Sequence, residues 1–489
     1  MSFKDLNARE GNGRSTKAII VGVDASLWLT QCQAVFHKPR HAQMGRNPEL
    51  RALFYKLASL SDAQVIAVFV FDGPHRPSTK RNKKVLRHPH WLVEEFTELI
   101  ELFGFYFYTA PGEGEAELAH LSKHGFIDAV LTDDGDAALF GARRIFRKLN
   151  KKNKDEITVY TSDALQNNPD VRLTNGGILL LAVLNGGDYD TVGLAKCGAT
   201  VAHALARCGF GDSLLKAAQN MPQPALQHFL VAWRQELREE LRTNSQGHLR
   251  SKQPSLARTI PNNFPNLTAL SLYSCPTTSW SEGFFPPIAD SWIVKLPSLP
   301  ELALYCKRKF GWSAVDMVDR FKCLIFPGIF AKRITLPFDI NTQLYEHVVL
   351  GRVQEEQPPL SAFLSIVSYD AAVPPKYKLK LSVAGLTNWM ISRLEAPASA
   401  AGPASATTTQ WFCAPAVEHY FPALVARFNG ASIPAPASAA AEAPVDVFGI
   451  LYSPVLPAAP PPRWLGLIEL SDSEEEGSSK ANIIDLTLD

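Results

Sequence analysis

Three apolar runs that each end in aspartate constrain this chain most strongly. The segments AIIVGVD, VIAVFVFD and DAVLTDD end at Asp24, at Asp72, and at the pair Asp133 and Asp134. Helix-like segments alternate with such strand-like runs over residues 17–222, which is the pattern of a parallel α/β sheet. The carboxyl ends of parallel strands lie along one edge, where open α/β folds place their sites. We therefore expect these acids to converge in space.

Each of these acids also has a purely structural explanation. Asp24 with Ser26 could cap a helix, Asp72 with Gly73 could form a turn, and Asp136 could be a solvated helix start. Convergence favours a site instead, because carboxylates within a few ångström raise each other's pKa unless a cation neutralises them.

Two further segments add acids to the set. APGEGEAELAHL places Glu113 and Glu115 at a helix entry, and LLLAVLNGGDYD places Asp188 after an apolar run and a double glycine. Acids at a helix entry are also favoured by the helix dipole alone. The set consists only of oxygen donors, which suits Mg²⁺ or Mn²⁺, and it has enough ligands for two ions. The pattern of an EF-hand loop is absent, and the seven cysteines lack zinc-like spacing.

Composition narrows the class of protein. A chain of 489 residues with 46% hydrophobic content can form two or three domains. The net charge of +1 hides basic clusters in the first half and the acidic run SDSEEE near the end, so a nucleic acid would be bound by local patches. Singly scattered cysteines indicate a reducing compartment, and we find neither a long apolar span nor a signal core, so no membrane partner is expected.

The chain divides into four predicted parts. Residues 17–222 form the α/β part, and residues 223–333 read mainly as helices. Residues 334–394 contain β-rich segments before a short helix. Residues 395–489 are rich in Ala, Pro and Ser, so we expect a disordered tail.

Five motifs carry a resemblance to a known family. VGVDAS, VFDG, APGEGEAE, LTDDGDAALFGA and LNGGDYD, in this order, resemble the acidic motifs of the XPG/flap-endonuclease (Rad2) superfamily of metal-dependent, structure-specific DNA nucleases. The resemblance spans about residues 17–333. It implies a PIN-like parallel-sheet nuclease core with a helix–two-turn–helix, and hydrolysis of DNA phosphodiesters with two Mg²⁺ or Mn²⁺ ions.

The resemblance also implies a set of metal ligands and catalytic residues. Asp133 and Glu117 do not match the ligand positions of the family's motifs and are left as neighbours. The residues that match the family's ligands are Asp24, Asp72, Glu113, Glu115, Asp134, Asp136 and Asp188.

A basic stretch, GPHRPSTKRNKKVLRHPHW, follows the second motif. Lys80 and Arg81 best match the family's catalytic cations, which reach the scissile phosphate, and Arg76, Lys83 and Lys84 are their neighbours in DNA binding. A solvated basic turn is the alternative. The stretch is too short for a long arch that threads a free 5′ flap, which favours the GEN-type Holliday-junction resolvases of fungi. A second basic strip, RRIFRKLNKKNK, is either a solvated hairpin or a DNA contact.

The segment TVGLAKCGATVAHALARCGF lies where the family has its helix–two-turn–helix. There, backbone N–H groups bind a DNA phosphate beside a monovalent cation. Gly193, Lys196 and Gly198 are the candidate DNA-binding residues, with K⁺ as the candidate ion. GLAKCG replaces the family's Gly-Ile/Val-Gly core, which makes the K⁺ site the weaker expectation.

The start of the chain departs from the family. Members open with Met-Gly and a helix beside the metals, whereas this chain opens with MSFKDLNAREGNGRSTK. Either the true start is missing or part of the active-site wall has been lost. The intact acids favour an active enzyme.

The carboxyl-terminal part carries three weaker expectations. Residues 334–394 stand where GEN-type proteins have a chromodomain, although an unrelated β module fits nearly as well. WFCAPAVEHYFPALVARF could be a docking helix or a collapsed patch. The end, ANIIDLTLD, resembles a SUMO-interacting motif, in which Ile483, Ile484, Leu486 and Leu488 would add a strand to a partner's sheet.

The resulting hypothesis is a nuclear, Mg²⁺-dependent endonuclease that cuts branched DNA in repair and recombination, most like a Holliday-junction resolvase. Coordinated cleavage of a four-way junction would need a dimer. One alternative is a 5′-flap or gap endonuclease of the same fold. The other is a catalytically inactive protein that binds DNA junctions.

Overall fold

The structure is a computed structural model that describes seven stretches of the chain. They are residues 18–36, 45–85, 89–147, 157–335, 362–372, 375–394 and 407–430.

The first half of the chain alternates strands with helices. Its elements are β1 (Ile20–Asp24), α1 (Ala25–Phe36), α2 (Pro48–Asp62), β2 (Ile66–Phe71), β3 (Thr79–Lys80), β4 (Lys83–Lys84), α3 (Val93–Leu102), β5 (Tyr106–Thr109), α4 (Gly114–Lys123), β6 (Ala129–Leu131), α5 (Asp136–Leu139), β7 (Arg144–Arg147), β8 (Thr158–Thr161), α6 (Ser162–Asn167) and α7 (Asn175–Asn185).

Helices dominate the middle of the chain, and a small β module follows. These elements are α8 (Ala199–Ala206), α9 (Phe210–Asn220), α10 (Gln223–Thr243), α11 (Pro254–Thr259), α12 (Leu267–Ser274), α13 (Leu299–Phe310), α14 (Ala314–Leu324), α15 (Phe326–Thr335), β9 (Phe363–Asp370), β10 (Lys376–Ser382), α16 (Ala384–Ile391), β11 (Thr407–Cys413), α17 (Ala414–Tyr420) and α18 (Pro422–Phe428).

A six-stranded sheet in the order β5-β2-β1-β6-β7-β8 forms the centre of the molecule. The first five strands of that order run parallel, and β8 pairs antiparallel with β7. Every residue of β1 and β2 is buried, as expected for continuous apolar runs covered on both faces. The expected parallel α/β core is therefore confirmed, and the second basic strip contributes β7, which pairs antiparallel with β8.

The sheet separates two hydrophobic cores. Alternation along β2 sends Phe69 and Phe71 into one core and Val68 and Val70 into the other. Helices α1–α3 and α13–α15 pack in the first core, and α4 and α7–α12 pack in the second. The side-chain period of two thus fixes which helices cover each face.

The β module belongs to the first core. Strands β11-β10-β9 form an antiparallel sheet, and the rings of Phe330 on α15 and Phe363 on β9 lie 5.4 Å apart. Arg393, after α16, forms an ion pair with Glu301 of α13. The expectation of a disordered tail from residue 395 is wrong for residues 407–430, which form β11, α17 and α18. Seven residues of β11 pair along β10. This pairing stabilises a strand that the surrounding Ala- and Pro-rich sequence does not predict.

Within the described stretches, no helix combines the length and the hydropathy that crossing a lipid bilayer requires.

Candidate metal centre

The predicted acids lie at one edge of the sheet. Asp24 is the last residue of β1, and Asp72 directly follows β2. Glu113 and Glu115 lie at the start of α4, which follows β5 along the chain. Asp134 and Asp136 follow β6, and Asp188 follows α7. The parallel topology therefore brings together segments that are far apart in the sequence.

Backbone and side-chain donors fix the first two acids. The Leu27 N–H donates to Asp24 Oδ1 at 2.8 Å, and the Gly114 N–H donates to Asp72 Oδ1 at 2.8 Å. The Ser26 hydroxyl oxygen accepts a hydrogen bond from the Asp72 N–H at 3.0 Å. These bonds restrain two carboxylates that repel each other.

Gly73 allows the ends of β2 and β5 to meet closely. Its N–H donates to Gly112 O at 2.6 Å, and a Cβ at this position would lie 1.8 Å from Ala110 O. No side chain fits at that distance, so glycine is required here. This contact positions Asp72 beside the start of α4 and therefore beside Glu113.

Glu115, Asp134 and Asp136 form the tightest group. One carboxylate oxygen from each residue lies within 4.8 Å of the other two. The Thr132 hydroxyl accepts from the Asp134 N–H at 3.0 Å, and Asp134 Oδ1 accepts from the Asp136 N–H at 3.1 Å. These local bonds turn both aspartates toward the site.

Burial among like charges disfavours ionisation of these acids. Burial, and then the neighbouring Asp72, raises the pKa of Asp24 to about 7. Burial, and then Asp134 and Asp188, raises the pKa of Asp136 to about 7. The pKa of Glu115 is also raised, chiefly by burial. A cation at this edge would offset the repulsion and favour the ionised forms.

A short basic hairpin covers the cluster. Strands β3 and β4 pair through a tight turn in which Arg81 and Asn82 have φ of 52° and 57°. The Arg81 N–H donates to Asp188 O at 2.6 Å, and Asn82 Nδ2 donates to Thr191 Oγ1 at 2.7 Å. These two bonds fix the hairpin on the segment that carries Asp188.

Lys80 places its ammonium among the acids. Its Nζ lies 2.9 Å from Asp188 Oδ2, 3.2 Å from Glu113 Oε1 and 3.9 Å from Glu115 Oε2. Burial lowers the pKa of Lys80, but Glu115, Glu113 and Asp188 outweigh burial, and the pKa rises well above its usual value. Arg81 Nε also donates to Asp188 Oδ1. The hairpin therefore supplies positive charge where the acids converge.

The donor set fits hard divalent cations. The converging side chains offer carboxylate oxygens, which Mg²⁺ and Mn²⁺ prefer. Glu115 Oε2 is buried and accepts no hydrogen bond from any described residue. A buried oxygen without a donor is costly unless a ligand satisfies it. This orphaned oxygen and the raised pKa values both indicate a cation site.

Two tyrosines that the sequence analysis missed orient acids of this region. The Tyr189 hydroxyl donates to Glu113 Oε2, and its ring lies 4.5 Å from that of Tyr273. The Tyr108 hydroxyl donates to Glu117 Oε1 at 2.9 Å. Tyr189 directly follows Asp188, and this adjacency is the only sequence signal that could have indicated it.

The two neighbouring acids that do not match the ligand positions differ in their surroundings. Glu117 is fully buried, and its Oε2 accepts from the Ser279 N–H at 2.8 Å. It joins α4 to the loop after α12. Asp133 is exposed, and its Oδ2 accepts from Gln31 Nε2 at 3.4 Å.

The predicted DNA-binding residues near the hairpin differ in exposure. Arg76 Nη1 lies 3.7 Å from Asp72 Oδ2, within the acidic region. Lys83 and Lys84 are exposed on β4. Their side chains are accessible to a ligand that reaches this edge of the sheet.

The segment predicted to form a helix–two-turn–helix corresponds to α7, α8 and the loop between them. Gly193 has a φ of 58°, and a Cβ there would lie 2.4 Å from Leu184 O. Lys196 is exposed, and Gly198 is the residue before the first turn of α8. All three candidates therefore lie in one loop. The candidate partner-binding residues Ile483, Ile484, Leu486 and Leu488 lie outside the described residues.

Two regions of the chain match family descriptions. Residues 7–89 match the XPG N-terminal domain, and residues 104–188 match the XPG I-region. These two regions contain all seven acids, and Asp188 is the last residue of the second match.

Curated relatives share part of their length with this chain. Flap endonuclease GEN homolog 1 of Mus musculus is 30% identical over 215 residues, which are 40% of this chain and 23% of the mouse protein. Flap endonuclease GEN-like 1 of Arabidopsis thaliana is 28% identical over 272 residues, which are 48% of this chain and 44% of the plant protein. The chain thus matches less than half the length of either relative.

Solved structures match over most of this chain. The Holliday junction-resolving enzyme GEN1, in complex with product DNA and Mg²⁺, has a TM-score of 0.63 at 26% identity and covers 88% of this chain and 95% of its own. A eukaryotic junction-resolving enzyme GEN-1 binding with potassium has a TM-score of 0.65 at 25% identity, and it also covers 88% of this chain and 95% of its own. The similarity includes the nuclease-like core and extends beyond it.

Proposed function

Because this chain carries the XPG N-terminal domain and the XPG I-region, we propose that it is a divalent-metal-dependent DNA endonuclease. The reaction is hydrolysis of phosphodiesters in branched DNA, most specifically in four-way junctions. The observation that carries this proposal is the convergence of seven carboxylates at one sheet edge, where the pKa values of Asp24 and Asp136 are raised to about 7.

The carboxylates would bind the metal ions jointly. We assign two ions, Mg²⁺ or Mn²⁺, to the cluster, since one triad already offers three oxygens within 4.8 Å of one another. Bound ions of this kind supply activated water and stabilise charge on the attacking and leaving oxygens. The proposed ligands are Asp24, Asp72, Glu113, Glu115, Asp134, Asp136 and Asp188.

Lys80 and Arg81 would bind and orient the scissile phosphate. Both side chains already reach the acidic edge, and both contact Asp188. The hairpin can therefore present two cations at the place where a phosphate must approach the acids. Charge-assisted contacts of this kind stabilise negative charge that develops on phosphoryl oxygens.

The loop between α7 and α8 would bind the duplex beside the site. Gly198 is exposed at the start of α8, Gly193 shapes the turn before it, and the exposed Lys196 adds a cation. Backbone N–H groups and lysines position duplex DNA through its phosphates. A K⁺ ion in this loop is supported by the similarity to a junction-resolving enzyme that binds potassium.

The preference for branched DNA rests on the structural similarity. The matching enzyme that was solved with product DNA is described as Holliday junction-resolving. The matched curated relatives are described as flap endonucleases, so a 5′-flap activity is the second candidate. An inactive junction-binding protein is the third, and the orphaned oxygen of Glu115 in the acid cluster argues against it.

Other features of the hypothesis extend this proposal. We assign the predicted module of residues 334–394 a chromodomain-like role in holding DNA, and its strands β9 and β10 share a core with helices α13–α15. A dimer on the junction, a nuclear location and a SUMO-binding tail remain predictions.

Cleavage assays test the proposed function. End-labelled four-way junction, 5′-flap and linear duplex DNA are incubated with Mg²⁺ and the wild-type protein. The combined variant Asp134→Ala, Asp136→Ala should lose more than about 100-fold of the cleavage rate, because it lacks two ligands. Asp133→Ala removes an exposed neighbouring carboxylate and serves as the matched control.

Three outcomes separate the candidates. Symmetric nicking of the junction by the wild type and by Asp133→Ala supports a resolvase. Cleavage of the flap alone supports a flap endonuclease. Binding of the junction without cleavage of any substrate supports the inactive binder and contradicts the proposed enzyme.

A further inference from the structure

Strand β11 is an unprotected edge of the small antiparallel sheet. In the order β11-β10-β9, no described strand pairs with the side of β11 that faces away from β10. Natural sheets usually interrupt an exposed edge with a proline, a charged side chain or a bulge. The sequence of β11, TTTQWFC, has neither proline nor charge, and its seven residue pairs with β10 show no register shift. The backbone of β11 is therefore suited to accept a further strand.

The opposite edge of this sheet is protected. The pairing of β10 with β9 shifts in register at two places, between Lys378 and Leu379 and between Lys380 and Leu381. Such irregularities bend an edge strand and disrupt its ladder of hydrogen bonds. β9 also ends in the charged residue Asp370. Of the two edges, β11 is thus the one on which a strand can dock.

A row of lysines lies on the outer face of the sheet, beside β11. Along β10, buried apolar residues alternate with Lys376, Lys378 and Lys380, which therefore share that face. Lys378 Nζ lies 5.8 Å from the centre of the Trp411 ring on β11. Neither Lys378 nor Lys380 has an acidic residue opposite it on β9 or β11. A strand added to β11 would be favoured by acids on the face that it shares with these lysines.

Three segments outside the described residues have strand-like sequences, and their charges differ. EHVVLGRV, at residues 346–353, carries His347 and Arg352 against one acid and would not complement the lysines. LGLIELSD, at residues 465–472, would place Glu469 and Asp472 on opposite faces of a strand, because they are three residues apart. Neither segment therefore offers a purely acidic face beside a purely apolar one.

The third segment, ANIIDLTLD at residues 481–489, separates the two chemistries from Ile484 onward. Alternation in an extended strand places Ile484, Leu486 and Leu488 on one face. The opposite face carries Asp485 and Asp489. This segment thus combines an acidic face for the lysine row with an apolar face for the other side of the sheet.

The chain between the module and this segment is long enough to reach β11. The last described helix, α18, ends at Phe428, whose ring lies 6.1 Å from that of Tyr377 on β10. About 50 residues follow before Ile484, and an extended chain of that length spans up to ~170 Å. β11 itself is only ~23 Å long. A tethered segment also acts at an effective concentration on the order of millimolar, so even weak strand pairing would be populated.

We propose that residues 484–489 dock on β11 as an additional strand of this sheet. Main-chain hydrogen bonds along β11 would hold the segment, as in other cases of strand addition to a sheet edge. Asp485 and Asp489 would lie on the outer face and attract Lys378 and Lys380, while the apolar residues lie on the inner face. Because this segment is also the predicted SUMO-interacting motif, a partner that binds it would free β11.

Hydrogen exchange of the full chain tests the docking. Peptic fragments that contain residues 407–413 are followed by mass spectrometry in the wild type and in the variant Ile484→Asp, Leu486→Asp. The variant should exchange the amides of β11 that do not bond to β10 roughly tenfold faster, because charges disrupt the apolar face of the docked strand. Unchanged exchange in β1 and β2 would verify that the variant is folded.

A matched variant places the same charges elsewhere in the tail. Ile468→Asp, Leu470→Asp alters the other apolar-acidic segment and should exchange like the wild type. Equally fast exchange of β11 in this control would overturn the assignment of ANIIDLTLD. Exchange of β11 that is the same in all three proteins would overturn the docking itself. Protection of β11 that grows as the protein is concentrated would also contradict it, since a second copy would then be the partner.

A charge reversal tests the contact with the lysine row. Lys378→Glu, Lys380→Glu should lose the protection of β11, and the further substitutions Asp485→Lys, Asp489→Lys should restore it. Lys307→Glu, at an exposed position of α13, is the control and should exchange like the wild type. Protection that is lost in the first variant and not restored in the second would contradict the pairing of these charges.

Docking would also withhold the lysine row from DNA, a consequence that rests on the proposed function. In EDTA, Ile484→Asp, Leu486→Asp should bind a four-way junction about threefold more tightly than Ile468→Asp, Leu470→Asp, which has the same net charge. Faster exchange of β11 without tighter binding would overturn this consequence. If none of the proteins binds or cuts DNA, the proposed function fails, whereas the docking on β11 is still decided by hydrogen exchange.

Discussion

At the scale of a single residue, Lys80 offsets the negative charge of acids that come from separate segments of the chain. Its ammonium lies 2.9 Å from an oxygen of Asp188 and 3.2 Å from one of Glu113. The Lys80 side chain is 28% exposed, whereas that of Asp188 is only 4% exposed. Removing one partner of such a pair leaves the other charge poorly solvated. The free-energy cost of that unpaired charge exceeds the net stabilisation that the intact pair provides.

Lys80→Met should therefore destabilise the protein in EDTA by about 2 to 3 kcal/mol. Because a divalent cation can replace the lost charge, Mg²⁺ should raise the melting temperature of this variant more than that of the wild type. Lys84→Met, on the exposed strand of the same hairpin, is the control and should melt like the wild type. Equal melting of all three proteins in EDTA would contradict the assigned role of Lys80.

The raised pKa of Asp136 implies that the stability of the protein depends on pH. Burial and Asp134 raise its pKa to about 7, so the folded state binds more protons than the unfolded state between about pH 4 and pH 7. The free energy of unfolding without metal should therefore fall as the pH rises through this window. Asp136→Asn should be more stable than the wild type by roughly 1 to 3 kcal/mol at pH 7 and equal to it near pH 4. Denaturant unfolding in EDTA at several pH values measures this difference, and a difference that does not depend on pH would argue against it.

At the scale of elements, the approach of β2 to the start of α4 depends on Gly73. An added Cβ would lie 1.8 Å from the Ala110 carbonyl oxygen, so either the backbone or the strand end must move. Gly73→Ala should cost at least about 3 kcal/mol of stability and displace Asp72 from the cluster. Chemical denaturation measures the stability.

Gly385 provides the control for Gly73. It lies within α16, and a Cβ there would meet nothing within 4 Å. Gly385→Ala should stabilise the protein by about 0.5 to 1 kcal/mol, because alanine restricts the unfolded chain. If Gly73→Ala were as stable as Gly385→Ala, the close contact of β2 and β5 would be refuted.

The order of strands and helices explains how much of the site could be predicted. Apolar runs that end in acid predict converging carboxylates, because parallel strands share one edge. The resemblance singles out Lys80, but its ion pairs with Asp188 and Glu113 were not predictable, since they depend on where the two-residue turn at Arg81 and Asn82 docks on Asp188. The hydrogen bond from Tyr189 to Glu113 likewise depends on tertiary packing, which no local pattern encodes.

At the scale of the whole molecule, the β module and helices α1–α3 and α13–α15 share one core. Phe363 of β9 packs on Phe330 of α15 and lies 4.6 Å, ring to ring, from Phe421. The expected tail concealed the third strand of this module, because Ala- and Pro-rich segments flank the short alternating strand TTTQWFC. The resemblance to the XPG superfamily is confirmed by the two family matches, whereas the role of each acid as a ligand stays a prediction.

Phe363→Ala should destabilise the whole described molecule. Removing a buried phenylalanine side chain costs about 3 to 5 kcal/mol. Because the module shares the core, the variant should still melt in one transition, at a lower temperature than the wild type. Leu364→Ala, at a position that is 41% exposed, is the control. Separate melting of the module in differential scanning calorimetry would contradict the shared core.

Titration with Mn²⁺ in an isothermal calorimeter tests the central claim most directly, namely that the converging acids form a divalent metal centre. We predict saturable binding of two Mn²⁺ ions per chain, unchanged in Asp133→Ala and lost in the combined variant Asp134→Ala, Asp136→Ala. Binding that is absent from the wild type, or that is equal in the combined variant, would contradict the metal centre.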